Sequence, residues 1–412
     1  MHVLLTPFGS AGDVYPLIGI GIELLRRGHR VTMITNAYFE DISRRAGFEF
    51  VPLSRSEEYF KLIENPHLWH PQKGGPLLAE SSVIPAIPVT YQLIAERYQP
   101  GETVVVAGSL ALGARIAHEK LGVPLATVHL QPAVFRSRFE PPTHPGLEWI
   151  HWLPTGLRPA VFRLMDYMID GIYAGPLNAF RAQLGLSPVK RVMDLWRHSP
   201  EQTLALFPSW FAAPQPDWPP LVRMLDFPQF DATGLEAKPE GFDDYLQDGE
   251  PPIVFTPGSA MKTGQDFFRV SARACELLGR RGVFLTRYPE QLPQPLPRFI
   301  RHFSYAPFSQ VLPKTAVFVH HGGIGTVAQA LKAGVPQLVM PCCYDQLDNA
   351  TRVQRLGAGL SLPRPKYRES AVAEHLQRLL GDLRFRQRRA QLAPAATAEA
   401  HWGQRGRDAL VA

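Results

Sequence analysis

The chain has 412 residues, of which 45% are hydrophobic and 19% charged. That is more apolar mass than one core ordinarily serves, so two domains are expected. A formal net charge of +6 without a long basic block argues against nucleic acid as a partner and leaves anionic small molecules or an anionic membrane surface open.

Three cysteines, Cys275, Cys342 and Cys343, are too few for a disulfide framework and favour a reducing cytoplasm. The N-terminus runs directly into strand-like sequence with no basic stretch and apolar run of signal length. No run reaches about 18 continuous apolar residues, so a spanning helix is not expected.

In chain order, His2 to Thr6 reads as a buried strand, followed by the loop Pro7 to Pro16, a helix from about Leu17 to Arg27, and a second strand from Arg30 to Thr35. This is a complete strand, helix, parallel-strand unit. A helix from Phe39 to Ala46 and a strand from Glu49 to Val51 repeat it. The first loop stands at the carboxyl end of the first strand, where open α/β sheets bind ligands.

Residues 55 to 100 are aromatic-rich and irregular, with Lys73-Gly74-Gly75 read as a mobile turn. Strand, helix and strand then return at Thr103 to Ala107, Ala111 to Lys120 and Pro124 to His129. His129 and Gln131, where that strand ends, are acceptor-side candidates. Ala160 to Gly175 is an amphipathic helix whose apolar stripe reads as core. A strand from Leu204 to Phe207 closes the first domain, and the proline-rich run from Pro208 to Pro220 carries the linker. The expected division is 1–210, a linker at 211–221, 222–395, and a tail at 396–412. A strand near Val222 to Leu225 is expected to open the second domain.

The second half repeats the α/β pattern: strand Pro252 to Thr256, helix Gln265 to Leu278, strand Val283 to Thr286, and a short strand near Phe299 to Tyr305. Ala316 to Val319 is the next strand, Gly325 to Lys332 a helix closed by Gly334, and Gln337 to Met340 a further strand. A helix from Asn349 to Leu356, a strand near Leu360 to Leu362 and a helix from Arg368 to Leu380 follow. The alanine-rich stretch from Ala390 to Ala400 reads as terminal helix.

Between strand and helix at 320–326 lie His320, His321, Gly322, Gly323, Gly325 and Thr326. Glycines there let the backbone approach a ligand, and a helix start offers unpaired N–H groups and a positive dipole end, so a phosphate or diphosphate suits the turn. A tight turn with a histidine bonded to backbone fits the same residues. The histidines and cysteines lack metal-site spacing, so no metal is called for. The first loop departs from the dinucleotide fingerprint, and no acidic residue stands in the second strand.

Taken in order, Gly9-Ser-Ala-Gly-Asp-Val-Tyr-Pro16, His321-Gly-Gly-Ile-Gly-Thr326, Gly334-Val-Pro336 and Asp345-Gln346 resemble the nucleotide-sugar-dependent glycosyltransferases of two-Rossmann-domain (GT-B, family 1 type) architecture. Through Gly108 to Lys120, Phe207 to Phe211 and Pro341 to Ala350, the chain is most similar to bacterial rhamnosyltransferases acting on hydroxy-fatty-acid lipids. The resemblance implies an α/β fold with two Rossmann-like domains facing across a cleft. The N-terminal domain would bind a hydrophobic hydroxyl acceptor and the C-terminal domain a UDP- or dTDP-sugar donor, with no cofactor.

It further implies Asp13 as general base with Gly12 beside it, and His321, with His320 as competing assignment, on the diphosphate together with Gly322, Gly323, Gly325 and Thr326. Ser259 would approach the same phosphates, Asp345 and Gln346 would take sugar hydroxyls, and Tyr305 would line the base. The reaction implied is inverting hexosyl or deoxyhexosyl transfer, with peripheral association at the inner membrane surface. A nucleotide-sugar epimerase of the same architecture, or a non-catalytic sugar-nucleotide or lipid-binding protein, is the alternative.

Overall fold

The structure, a computed structural model, describes residues 1–382 and Phe385. The expected terminal helix at 390–400 and the tail at 396–412 lie outside the described residues. Two compact units are present, the chain passing from one to the other at Pro228 and Gln229.

The first unit is built on seven strands: β1 (His2–Thr6), β2 (Arg30–Asn36), β3 (Glu49–Ser54), β4 (Thr103–Gly108), β5 (Leu125–His129), β6 (Gln202–Ala205) and β7 (Val222–Met224). Their order is β3-β2-β1-β4-β5-β6-β7, and every pairing is parallel. All five residues of β1 are buried, as expected of a parallel strand covered on both faces.

The covering helices are α1 (Ala11–Arg26), α2 (Glu40–Arg45), α3 (Ser56–Glu64), α4 (Gly74–Leu78), α5 (Ile84–Ala95), α6 (Leu112–Leu121) and α7 (Arg158–Gln183). Val105, Ala107, Ala114, Ala117 and Leu125 form one core beneath them, and Val83, Ile87, Ile116 and Leu177 another.

Several expectations change here. The helix after β1 starts at Ala11, because Ser10 caps it and Asp13 at the third helical position accepts from the Ser10 N–H; Asp13 therefore sits in a helical turn. Residues 74–95 are helical throughout, with a π turn at Ala79–Val83 joining α4 to α5. Gly74 starts this helix and is no part of a mobile turn.

This is the one helix among the described residues with the length and hydropathy to cross a membrane. Its buried residues, Ala79, Val83, Ile87, Thr90 and Ile94, face the core. Glu80, Ser81, Pro85, Pro88, Val89 and Gln92 are outermost, for the most part the pattern of an amphipathic core helix.

Finally, β7 pairs with β6 and completes the first sheet. The proline-rich run is thus a crossover within the first unit, and the chain leaves that unit later than 211–221.

The second unit has six parallel strands: β8 (Ile253–Thr256), β9 (Gly282–Leu285), β10 (Ile300–Phe303), β11 (Val317–His320), β12 (Gln337–Val339) and β13 (Gly359–Ser361). Their order is β10-β9-β8-β11-β12-β13. Its helices are α8 (Phe242–Gln247), α9 (Gln265–Leu278), α10 (Phe308–Val311), α11 (Ile324–Ala333), α12 (Gln346–Arg355) and α13 (Glu369–Gly381). Val254, Val283, Phe303, Phe318 and Ala330 belong to one buried cluster.

In each sheet the strand order reverses once, between β1 and β4 and between β8 and β11. Those switch points leave a crevice at the carboxyl ends of the strands.

Candidate active site

The turn after β1 carries Asp13. Its Oδ2 accepts from the Ser10 N–H at 2.8 Å and from the Ser10 hydroxyl at 3.3 Å. Both bonds fall on one oxygen, and among the described residues no donor reaches Oδ1. Burial pushes the carboxyl up from its ordinary value to about 6, against the opposing pull of the Ser10 bonds.

Gly9 makes room for this arrangement, since a Cβ there would stand 2.2 Å from Asp13 Oδ2. A carboxylate held in place, mostly ionised at neutral pH and with one oxygen open, can take a proton from a hydroxyl. Gly12 is exposed in the same helical turn.

In the second unit the turns after β8 and β11 pack together. A Cβ on Gly258 would stand 2.7 Å from the His321 ring, so the imidazole lies against the backbone that carries Ser259. Ser259 itself is exposed. His321 Nδ1 is buried with no partner among the described residues, and burial lowers the ring to about 4.

The N–H groups of Ile324, Gly325 and Thr326 precede the first intrahelical bond of α11, from Val327 N to Gly323 O. A neutral imidazole beside a helix N-terminus at a switch point has the donors an anion needs.

His320 is a different case. Gly322 N–H donates to its Nδ1 at 3.1 Å, which places the ring proton on Nε2, and Nε2 donates to Gln337 Oε1 at 3.0 Å. The side chain is fully buried. Both nitrogens are committed inside the fold, so His320 is removed from the ligand candidates.

Asp345 is the N-cap residue of α12, and its Oδ2 accepts from Asn349 Nδ2 at 2.6 Å. Gln346 is buried in the first turn, where its Oε1 accepts from the N–H groups of Cys342 at 2.8 Å and Cys343 at 3.3 Å. Both members of the expected pair are therefore engaged within the fold, Asp345 with Asn349 and the Gln346 oxygen with the cysteine turn. Asn349 also donates to Gly322 O at 2.9 Å, which joins the start of α12 to the turn after β11.

Tyr305 donates its hydroxyl to Asp231 O at 2.6 Å and lies under the Arg287 guanidinium, 5.7 Å from the ring centroid. Only the ring is left for packing. Arg287 grips Glu236 at 2.6 and 2.8 Å, the usual fate of an arginine following a strand.

On the acceptor side the structure places His129 in the core, with its Nδ1 left without a partner among the described residues. The ring is buried, its Nε2 lies 2.9 Å from His198 Nδ1, and His198 Nε2 donates to Asp194 O at 3.0 Å. The pair is packed against Phe135 and points into the core of the first unit. Gln131 is half-buried and stands at the N-cap position of the short turn at Pro132–Val134, with no side-chain bond to it.

Asn349, Gln337 and Ser10 were missed from sequence. For Asn349 the available signal was its spacing of four from Asp345 across a helix start, which puts both on one face. Among the described residues no group of three or more His, Cys, Asp or Glu could hold a metal.

Residues 3–138 match the Glycosyltransferase family 28 N-terminal domain, and residues 285–402 the C-terminal domain of Erythromycin biosynthesis protein CIII-like proteins. Glycosyltransferase GtfE of Amycolatopsis orientalis is 31% identical over 388 residues, covering 90% of this chain and 89% of its own. The O-mycaminosyltylonolide 6-deoxyallosyltransferase of Streptomyces fradiae is 28% identical over 97% of this chain and 94% of its own. The crystal structure of the kitacinnamycin glycosyltransferase superposes with a TM-score of 0.71 at 21% identity, covering 97% of this chain and 95% of that one.

These matches carry the enzyme reading over a binding protein. With two Rossmann-like units and this likeness along nearly its full length, the chain belongs to the nucleotide-sugar-dependent glycosyltransferases of GT-B fold, related to those of bacterial natural products.

Proposed function

We propose that the enzyme transfers a hexose or deoxyhexose from a UDP- or dTDP-sugar to a hydroxyl of a bulky hydrophobic acceptor, in one displacement that inverts the anomeric carbon. The first unit takes the acceptor and the second the donor. Asp13 carries this reading, being a half-buried carboxylate pinned through one oxygen at the switch point of its sheet and pushed up to about 6.

As the acceptor oxygen bonds to the anomeric carbon, its proton passes to Asp13 and the bond to the diphosphate breaks. The charge that develops on the departing diphosphate is met by the first-turn N–H groups of α11 and by His321. Asp345 receives sugar hydroxyls, and the turn after β8 places Ser259 near the phosphates. The Streptomyces fradiae relative is named as a deoxyallosyltransferase of O-mycaminosyltylonolide, which supports a deoxyhexose donor and a bulky acceptor. A hydroxy-fatty-acid lipid is one acceptor of that description.

Turnover of UDP- and dTDP-sugars against 3-hydroxyacyl, aromatic and carbohydrate acceptors tests the proposal, with the anomeric configuration of the product read by NMR. Retention of configuration would overturn the single displacement. Exclusive use of carbohydrate acceptors would overturn the hydrophobic one.

Peripheral association with an anionic membrane surface rests on one face of the first unit. Phe139, Trp149, Trp152, Leu157, Leu164, Tyr167 and Met168 are all exposed, Trp152 at 86% and Tyr167 at 79%. Leu157, Leu164 and Met168 fall on one stripe of α7 and its cap, and Arg158 ties the segments at 138–139 and 151–153 to that helix. Tryptophan and tyrosine suit the headgroup region. The exposed Arg138 and Arg163, on a chain of net charge +6, complement anionic lipid.

A further inference from the structure

A buried polar chain runs through the donor side of the second unit. Gln337 Oε1 accepts from His320 Nε2 at 3.0 Å, His320 Nδ1 accepts from the Gly322 N–H at 3.1 Å, Gly322 O accepts from Asn349 Nδ2 at 2.9 Å, and Asn349 Nδ2 also donates to Asp345 Oδ2 at 2.6 Å. Both backbone groups of Gly322 are thus held by side chains. The amide of Asn349 spends its two hydrogens on two different parts of the proposed donor site.

Asn349 is fully buried, and its Oδ1 has no partner among the described residues. A buried acceptor left without a donor is destabilising, and such groups in folded proteins call for an explanation. Turning the amide over would bring Oδ1 toward Gly322 O and Asp345 Oδ2, acceptor against acceptor. The orientation is therefore set by the two acceptors at the expense of the third polar atom.

We infer that Asn349 is a positioning residue that couples the diphosphate turn at Gly322 to the sugar-binding carboxylate of Asp345, so that the two halves of the donor are recognised in one fixed geometry. This rests on the donor site proposed above. With the amide in place, one Asp345 oxygen is oriented by Asn349 Nδ2 and the carboxylate keeps a fixed position relative to the turn that holds His321. Without it, this side-chain link between the turn and the carboxylate is lost. Binding of the nucleoside diphosphate alone is then weakened little, while the extra affinity contributed by the sugar is lost.

Asn349→Ala and the near-isosteric Asn349→Asp test this, the second setting two carboxylates against each other where the bridge now stands. Melting temperature reports folding, titration calorimetry gives Kd for UDP and dTDP, and donor turnover gives KM and kcat for UDP-glucose and dTDP-glucose. The expected result is a rise in sugar-nucleotide KM on the order of 10-fold, as when a hydrogen bond to a charged group is lost, with Kd for the free diphosphate within about 2-fold of the parent.

In an Asp345→Ala background, Asn349→Ala adds no further loss, because the residue it acts through is gone. Where the alanine variant fails to fold, Asn349→Asp carries the same expectation. A folded variant with unchanged sugar-nucleotide KM, or losses that simply add in the double variant, overturns the coupling role while leaving the donor site standing. An Asp345→Ala protein with unaltered sugar-nucleotide KM overturns the donor site and the coupling role together.

Discussion

Asp13 binds its proton more tightly in the fold than free in water, and the sign of that shift separates catalysis from stability. As a base it works ionised, so kcat/KM should climb with pH along a limb centred near 6. Asp13→Asn should abolish the limb and lower kcat by about 10²–10⁴-fold, with Kd for UDP and dTDP unchanged. A flat profile through that range would argue for another base. For stability the raised value acts the other way: the contribution of this group is largest below the ordinary 3.8 and shrinks as pH rises to about 6, since the unfolded chain releases the proton first.

The two adjacent histidines should likewise part company. His321→Ala is expected to weaken binding of UDP or dTDP on the order of 10-fold with little change in melting temperature, as for a lost hydrogen bond to an anion. His320→Ala leaves the buried Gly322 N–H and Gln337 side chain without their partner and should cost about 1–3 kcal/mol of unfolding free energy. Equal effects on binding and stability from both variants would contradict the division of roles. Sequence showed two histidines before a glycine turn. Which ring turned inward depended on Gln337, 17 residues away, and no local pattern reports that.

At the scale of elements, the parallel strands were legible because burial on both faces writes them as short apolar runs such as Val317 to Val319. The start of α1 was not, because Gly12 and Pro16 read as loop while the deciding bond is a cap between Ser10 and Asp13. Residues 74–95 were illegible for a similar reason, Pro76, Pro85 and Pro88 suggesting breaks in what is continuous helix with a π turn.

The longest helix, α7, is fastened through charge. Asp166, buried, pairs with Arg136 and, at 2.9 Å, with Arg191. Asp166→Ala would leave Arg136 buried and unpaired by that carboxylate, so unfolding free energy should fall by roughly 3–5 kcal/mol, with faster amide exchange along α7. Loss of less than about 1 kcal/mol would show that Asp194, within 3.7 Å of Arg136, compensates.

For the whole molecule, the exposed apolar face of the first unit predicts binding to lipid. The chain should sediment with vesicles of phosphatidylglycerol and phosphatidylcholine, less so at high salt. Replacing Trp152 and Tyr167 together by serine should reduce the bound fraction severalfold, while leaving turnover of a water-soluble acceptor intact. Undiminished binding by that variant would place the contact elsewhere.

The sequence by itself determined the α/β class, the two units and the glycine-bearing turns at the strand ends, because strand burial and glycine turns are local in the chain. Only the tertiary structure decided that β7 belongs to the first sheet, that His129 and His320 face inward, and that Asn349 joins Gly322 to Asp345. Edge pairing and the satisfaction of buried polar groups depend on residues brought together from distant parts of the chain, and their spacing in sequence carries little record of the contact.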